Sequence, residues 1–245
     1  MRRADIAVAL TAAALLAGAC HRADSDAAFG QRVRTYLLDH PEVLVQAEDR
    51  LREKASAQQA ADQKRAQAML PAMRAAIERD PADFVAHPLG RITVTEFYDY
   101  RCPHCENVAP LVLALIGARP DVRVVFKEMP IFGALSEHAA RAAYAVGTAH
   151  GDYLGFYKAA MSARALDDVT IDRLALAHGA HAADLAGPAP DAVKAHLART
   201  ARLFTDLDLG GTPAFVVGDR IVYGEDVDGL RSALAEAANG VKSPA

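Results

Sequence analysis

The chain has 245 residues, a formal net charge of -4, 24% charged and 6% aromatic residues, three cysteines and no tryptophan. Its length allows one or two domains with a sizeable core, while three cysteines exclude a dense disulfide framework and a four-thiolate metal site. Mild acidity argues against nucleic acid as a main partner, because phosphate binding needs a concentrated basic surface. No run of about 18 apolar residues follows residue 20, so nothing downstream is expected to span a membrane.

Residues 1–20 read as a secretory signal peptide. Arg2 and Arg3 form the basic start, Ile6 to Ala19 are apolar or small, and Ala17-Gly18-Ala19 offers a cleavage site. Cys20 directly after them is similar to a bacterial lipobox, in which the cysteine is lipidated. That motif prefers leucine three positions before the cysteine, where this chain has Ala17; ordinary cleavage near Ala19 is the other reading. Both put the mature chain outside the cytoplasm, in the periplasm or on the extracytoplasmic face of a bacterial membrane, with a lipid anchor in the first reading alone. Disulfides form and persist there.

Residues 24–80 form a helical arm. Val33, Leu37, Leu44 and Leu51 recur at helical spacing, and Pro41 starts a second helix at its favoured first-turn position. From Glu48 to Ala68 the chain is mostly Glu, Arg, Lys, Gln, Asp and Ala, strong helix formers that bury little. Met69, Leu70, Met73 and Ile77 then restore an apolar stripe. Asp80-Pro81 and His87-Pro88-Leu89-Gly90 mark residues 81–90 as a linker.

The globular domain covers residues 91–240. Ile92–Tyr98 reads as a buried strand, a helix runs from about Pro103 to Ile116, and Val122–Phe126 is a second strand. Residues 134–205 are largely helical. Ala214–Val217 and Arg220–Tyr223 are strands joined by a Gly218-Asp219 hairpin turn, and Val227–Ala238 is a closing helix. The fold class is α/β, with strand–helix–strand, a helical block, a hairpin and a helix in order.

Cys102-Pro103-His104-Cys105 follows the first strand and opens the helix. A dithiol at this spacing can close a small disulfide ring. At a helix N-terminus the first sulfur faces unpaired N–H groups and the positive end of the dipole, which favour thiolate. His104 can add positive charge or a hydrogen bond to the sulfur. A stabilised thiolate stabilises the reduced form and makes the disulfide a stronger oxidant. A structural disulfide or half a metal site would also use two cysteines, yet a zinc site needs two more ligands at suitable spacing. The other histidines, at 21, 40, 87, 138, 150, 178, 181 and 196, read as surface residues. A competing function is copper handling, with Cys102, Cys105 and His104 as ligands for Cu(I).

Three segments carry a family resemblance: Phe97-Tyr98-Asp99-Tyr100-Arg101-Cys102-Pro103-His104-Cys105, Phe126-Lys127-Glu128-Met129-Pro130-Ile131 and Gly211-Thr212-Pro213-Ala214-Phe215. Over about residues 91–240 the chain resembles the DsbA-like branch of the thioredoxin superfamily. The resemblance implies a thioredoxin fold with an inserted helical block at about 134–205, preceded here by the arm. It implies that Cys102 is the exposed attacking sulfur and Cys105 the buried resolving one, with no cofactor beyond the redox-active Cys102–Cys105 disulfide. Thr212-Pro213 matches the family's threonine and cis-proline, which lie against the dithiol and receive the client backbone. Glu96 matches a buried acid that handles the proton of the inner thiol, and Lys127 is a candidate partner for it; a strand-end glutamate or lysine in solvent is the plain alternative.

Tyr36-Leu37-Leu38-Asp39-His40-Pro41-Glu42-Val43-Leu44 resembles the leader of secreted DsbA-like proteins related to suppressor-of-copper-sensitivity protein C and to the Com proteins. In some of those relatives the arm oligomerises the protein and supports isomerisation. The implied function is a thiol–disulfide oxidoreductase that forms or isomerises disulfides. Its partners would be unfolded or misoxidised secreted proteins, a membrane redox partner and a second copy of the arm.

Overall fold

The computed structural model describes residues 26–242. The signal peptide over residues 1–20 and the lipidation candidate Cys20 lie outside the described residues. Two compact units divide between Ala60 and Ala61.

The described residues of the first unit, 26–60, are helical. A helix over residues 26–39, α1, gives way at His40-Pro41 to α2 (Glu42–Glu78), which supplies residues to both units. Pro41 has no N–H to continue the first helix, and its carbonyl accepts from Leu44 N–H at 3.1 Å. Exposed Arg52 lies against Glu48 and Asp49. Phe29, Val33, Tyr36, Leu38, Leu44, Val45 and Leu51 are all exposed, so the apolar stripe has no cover among the described residues of this unit.

The second unit begins inside α2, twenty residues before the expected end of the arm. Ala66, Leu70 and Ile77 are buried with Phe97, Leu203 and Leu207. The sheet runs in the order β1–β3–β2–β4–β5, with β1 (Phe84–Ala86), β2 (Ile92–Tyr98), β3 (Val122–Glu128), β4 (Ala214–Val217) and β5 (Arg220–Tyr223). Strands β2 and β3 are parallel, bridged by α3 (Pro103–Ala118); the other pairs are antiparallel. The span expected to be a linker thus contains an edge strand. β1 is three residues long between Pro81 and Pro88, too short for an alternating pattern to be legible.

Between β3 and β4 lies the helical block: α4 (Ala134–Thr148), α5 (Tyr153–Met161), α6 (Asp168–Ala177), α7 (Ala182–Leu185) and α8 (Asp191–Asp206). The closing helix is α9 (Val227–Lys242). Strand alternation sorts the core into two layers. Val94, Tyr98, Val124 and Phe126 pack with the apolar residues of α3, α4 and α5. Phe97, Ala214, Val216 and Ile221 pack with α2 and α8 on the other face.

Candidate functional site

The dithiol sits where β2 ends and α3 begins. Cys102 is the N-cap of α3 with extended backbone, and Pro103 occupies the first turn, where its missing N–H costs nothing. The Cys102 carbonyl accepts from the N–H of Cys105 at 2.9 Å and of Glu106 at 3.0 Å. This short turn holds the two cysteines together at the helix start. Both are free thiols and both are buried. The expectation of an exposed Cys102 therefore does not hold in this state: only 1% of the residue is accessible. The reason is the segment before β4. The Thr212–Pro213 peptide is cis, and the Thr212 carbonyl lies 3.2 Å from Cys102 Sγ, so backbone rather than solvent faces the sulfur.

Glu96 points to the same side of the sheet as Val94 and Tyr98, into the layer that holds Cys105. It is fully buried, and burial pushes its carboxyl up to about 8. The Tyr157 hydroxyl lies 3.2 Å from both carboxyl oxygens and works in the opposite direction by favouring the anion. Burial also raises the Cys105 thiol well above the ordinary range, and the nearby charges of Cys102 and Glu96 add to it; a hydrogen bond from the Asp99 backbone opposes. Two weak acids, Glu96 and Cys105, thus share one dry layer of the protein.

Lys127 does not join them. Register pairs Phe97 with Lys127 and Glu96 with Phe126, so the acid and the lysine leave the sheet on opposite faces. Lys127 is buried and its Nζ lies 2.6 Å from Asp83 Oδ2; it is neither the partner of Glu96 nor a solvated strand end. His104 is exposed, and its Nδ1 lies 2.5 Å from Glu225 Oε1, which also accepts from Asn107 Nδ2 at 3.2 Å. Hydrogen bonds from His104 and then Asn107 hold the Glu225 carboxyl below its usual range.

Residues 93–235 match the DSBA-like thioredoxin domain family. The chain belongs to the DsbA-like thioredoxin family. Residues 26–58 of this DsbA-like protein match a second family, the copper resistance protein ScsC N-terminal domain. A thioredoxin-like oxidoreductase from Silicibacter pomeroyi is 35% identical, over 70% of this chain and 99% of its own, with a TM-score of 0.59. Salmonella enterica Typhimurium BcfH is 31% identical over 85% of this chain and 93% of its own, with a TM-score of 0.62. Proteus mirabilis ScsC in a transitional conformation is 27% identical over 85% and 92%, with a TM-score of 0.64. No curated protein sequence matches the chain.

Several polar residues of this DsbA-like domain carry no local motif. Tyr98 hydroxyl lies 2.9 Å from that of Tyr100 and 2.8 Å from that of Tyr153. Tyr153 also donates to Glu128 Oε1, and the other Glu128 oxygen lies 3.3 Å from His196 Nε2. His196 was expected on the surface and is fully buried on α8. Asp80, Asp83 and His196 each bring one potential ligand atom within 4.8 Å of the others, and Asp83 Oδ1 and His196 Nδ1 have no hydrogen-bond partner among the described residues. Cationic charge is already supplied here. Lys127 meets Asp83, and Arg199 grips both oxygens of Asp80, whose carboxyl that hydrogen bond lowers to about 2. Burial disfavours the imidazolium of His196, but the Glu128 carboxylate outweighs it and raises the imidazole above its usual range. With both carboxylates already paired to Lys127 and Arg199, the cluster reads as an ionic anchor joining the start of β1, β3 and α8.

Proposed function

We propose that the protein is an extracytoplasmic thiol–disulfide oxidoreductase that forms or isomerises disulfides in secreted proteins through Cys102 and Cys105. The observation that carries this reading is the pairing of a helix-start dithiol with a buried carboxyl, Glu96, in the layer of the inner sulfur. In the oxidised enzyme a client thiolate attacks Cys102 Sγ. The Cys102–Cys105 bond breaks, and Cys105 leaves with the electron pair. The high proton affinity of Cys105 makes it take a proton at once, and the protonated Glu96 is the donor within the layer. A second client thiolate then attacks the client sulfur of the mixed disulfide and releases Cys102. The client has lost two electrons and the enzyme has gained them; a membrane redox partner removes them again. In isomerisation the reduced enzyme starts, with the Cys102 thiolate attacking a wrong client bond.

The arm supports isomerisation by holding copies together. Its exposed stripe, Phe29 to Leu51, is apolar enough to be covered by the same stripe of another chain. The match of residues 26–58 to a copper resistance protein's N-terminal domain keeps Cu(I) handling by the same thiols as the competing reading.

The reduction potential of the Cys102–Cys105 pair, measured by alkylation mass shift, tests the core of the reading. A strongly oxidising value is expected; a thioredoxin-like value would point to a reductase. Refolding of scrambled ribonuclease by the full chain and by a chain beginning at Ala61 separates the two modes. Equal isomerase activity in both would remove the role given to the arm. Tight Cu(I) binding by a chain that oxidises no dithiol would favour copper handling.

A further inference from the structure

Asp99 lies just after β2, three residues before Cys102, and only 2% of it is exposed. Its main chain meets both cysteines. The Asp99 carbonyl accepts Cys102 N–H at 3.1 Å, and the Asp99 N–H donates to Cys105 Sγ. Both contacts are made by backbone, so they are only as firm as the peptide groups of this turn.

The Asp99 side chain fixes those peptides. Oδ1 accepts Arg101 N–H at 2.8 Å, which closes a local turn of the kind aspartate favours. Oδ2 reaches out of the turn and accepts Ile131 N–H at 2.7 Å and Phe132 N–H at 3.1 Å. These two donors stand 32 and 33 residues further on, in the loop that leaves β3. Beside them Met129 N–H reaches the Tyr98 carbonyl at 2.7 Å, and Arg101 Nη1 donates to the Phe132 carbonyl at 3.1 Å. The local turn needs only the first of these bonds. The second oxygen ties the turn to another element, and hydrogen bonds to a charged acceptor are the stronger kind.

Cys105 is the sulfur that this arrangement serves. It is fully buried, and burial opposes its thiolate. When the Cys102–Cys105 bond breaks, Cys105 carries the electron pair before a proton reaches it. A backbone N–H already aimed at the sulfur stabilises that charge without reorganisation. We infer that Asp99 is a positioning residue for the redox step: its carboxylate clamps the β2–α3 turn to the β3–α4 loop and so holds its own N–H on Cys105 Sγ as the thiolate leaves. The inference deepens the oxidoreductase reading above and rests on it. In the step, a client thiolate bonds to Cys102 Sγ and the Cys102–Cys105 bond breaks. Cys105 takes the electron pair under the Asp99 N–H, and the Glu96 proton then neutralises it. The reverse step, attack of the Cys105 thiolate on the mixed disulfide, passes through the same hydrogen bond.

Charge and position give opposite signs. A carboxylate three residues from Cys102 repels a developing thiolate, so removing its charge alone speeds the step. Loosening the clamp slows it. Asp99→Asn keeps the size of the side chain and removes the charge and one acceptor oxygen. On the full oxidised chain, dithiothreitol and reduced, unfolded ribonuclease each serve as reductant, and the second-order rate constant is measured for each. Both constants fall about tenfold in Asp99→Asn, the lower range for losing a hydrogen bond to a charged atom. Ring closure of the mixed disulfide slows by the same factor, so the equilibrium constant, read as the reduction potential, changes by less than about twofold. Rates that are unchanged or faster in Asp99→Asn overturn the proposal. Asp99→Ser, whose shorter side chain does not reach Ile131 and Phe132, decides in the same way if Asp99→Asn does not fold. If neither variant unfolds cooperatively, Asp99 is structural only and the proposal falls. Slowing confined to ribonuclease assigns Asp99 to client contact and overturns it. A tenfold change in the equilibrium constant makes Asp99 a support of one redox state, which also overturns it. A wild-type chain that leaves ribonuclease thiols unoxidised sinks the oxidoreductase reading itself, while the dithiothreitol rates still decide the role of Asp99.

Discussion

Replacing Glu96 by Gln is the most informative single change, because it keeps the shape and a hydrogen-bond acceptor for Tyr157 while removing the ionisation. Burial holds the folded carboxyl at about 8, against 4.5 in the exposed group. Each pH unit of that displacement is worth about 1.4 kcal/mol, so ionising Glu96 in the folded chain costs about 5 kcal/mol more than in the unfolded one. The sign follows from proton counting. Between pH 4.5 and 8 the folded chain holds this proton and the unfolded chain has released it. The contribution of Glu96 to stability is therefore fully present below pH 4.5, declines as pH rises, and is exhausted above 8. Set against a typical total of about 5–15 kcal/mol, the effect is large. Urea unfolding of reduced wild-type and Glu96→Gln chains from pH 5 to 8.5 measures it. The variant gains stability relative to wild type steadily across the window, approaching about 5 kcal/mol at its alkaline end. A difference that stays constant with pH would refute both the burial argument and the proton-donor role built on it. Tyr157→Phe is the internal control: losing the donor that favours the anion moves the folded carboxyl higher still and extends the wild-type decline past pH 8.

Lys127→Met leaves Asp83 buried without its cation and costs about 3–5 kcal/mol in denaturant unfolding. Because burial already holds Asp83 at about 6, wild-type stability from this group falls as pH rises from 3.8 to 6, and the variant extends that fall upward. Leu70→Ala removes a side chain that is 1% exposed among Phe97, Leu203 and Leu207 and lowers stability by about 2–5 kcal/mol; a loss under about 1 kcal/mol would mean that α2 is not part of the core. A chain beginning at Arg91 loses Ala66, Leu70, Ile77 and β1 together, so its thermal transition broadens or disappears, whereas a chain beginning at Ala61 keeps a cooperative one.

What the sequence revealed and what it hid follow from the range of the interactions involved. The strands Ile92–Tyr98, Ala214–Val217 and Arg220–Tyr223 were legible to the residue because their β-branched and aromatic runs are bounded by turn residues. The helical block and the Cys102–Cys105 spacing were legible for the same local reasons. β1 was hidden by its three-residue length. The boundary of the arm was misplaced because Leu70 and Ile77 look alike on a free amphipathic helix and on one docked to β2. Tyr157 and His196 carry no local signal at all. Glu96 and Tyr157 are 61 residues apart, and Glu128 and His196 are 68 apart. Such pairs exist only once the inserted helices have folded over the sheet.

The separation of Lys127 from Glu96 lets two buried charge systems coexist. Glu96 and Lys127 are one register step apart on adjacent parallel strands, close enough in sequence terms to suggest a pair. Strand alternation sends the carboxyl to the α3–α5 layer and the ammonium to the α2–α8 side. Had they met, the lysine would have favoured the carboxylate and pulled its proton off near neutral pH. Kept apart from that cation, Glu96 keeps its raised proton affinity, and in the proposed mechanism it has a proton to give when Cys105 is released. Lys127 meanwhile neutralises Asp83 in the anchor that fixes β1 and α8. On this argument, moving a cation to the face of Glu96, for example by Val94→Lys, should abolish the alkaline decline in stability and slow release of Cys105 in one step. A variant that folds, keeps the decline and resolves its mixed disulfide at the wild-type rate would show that the separation of the two systems has no bearing on the redox chemistry.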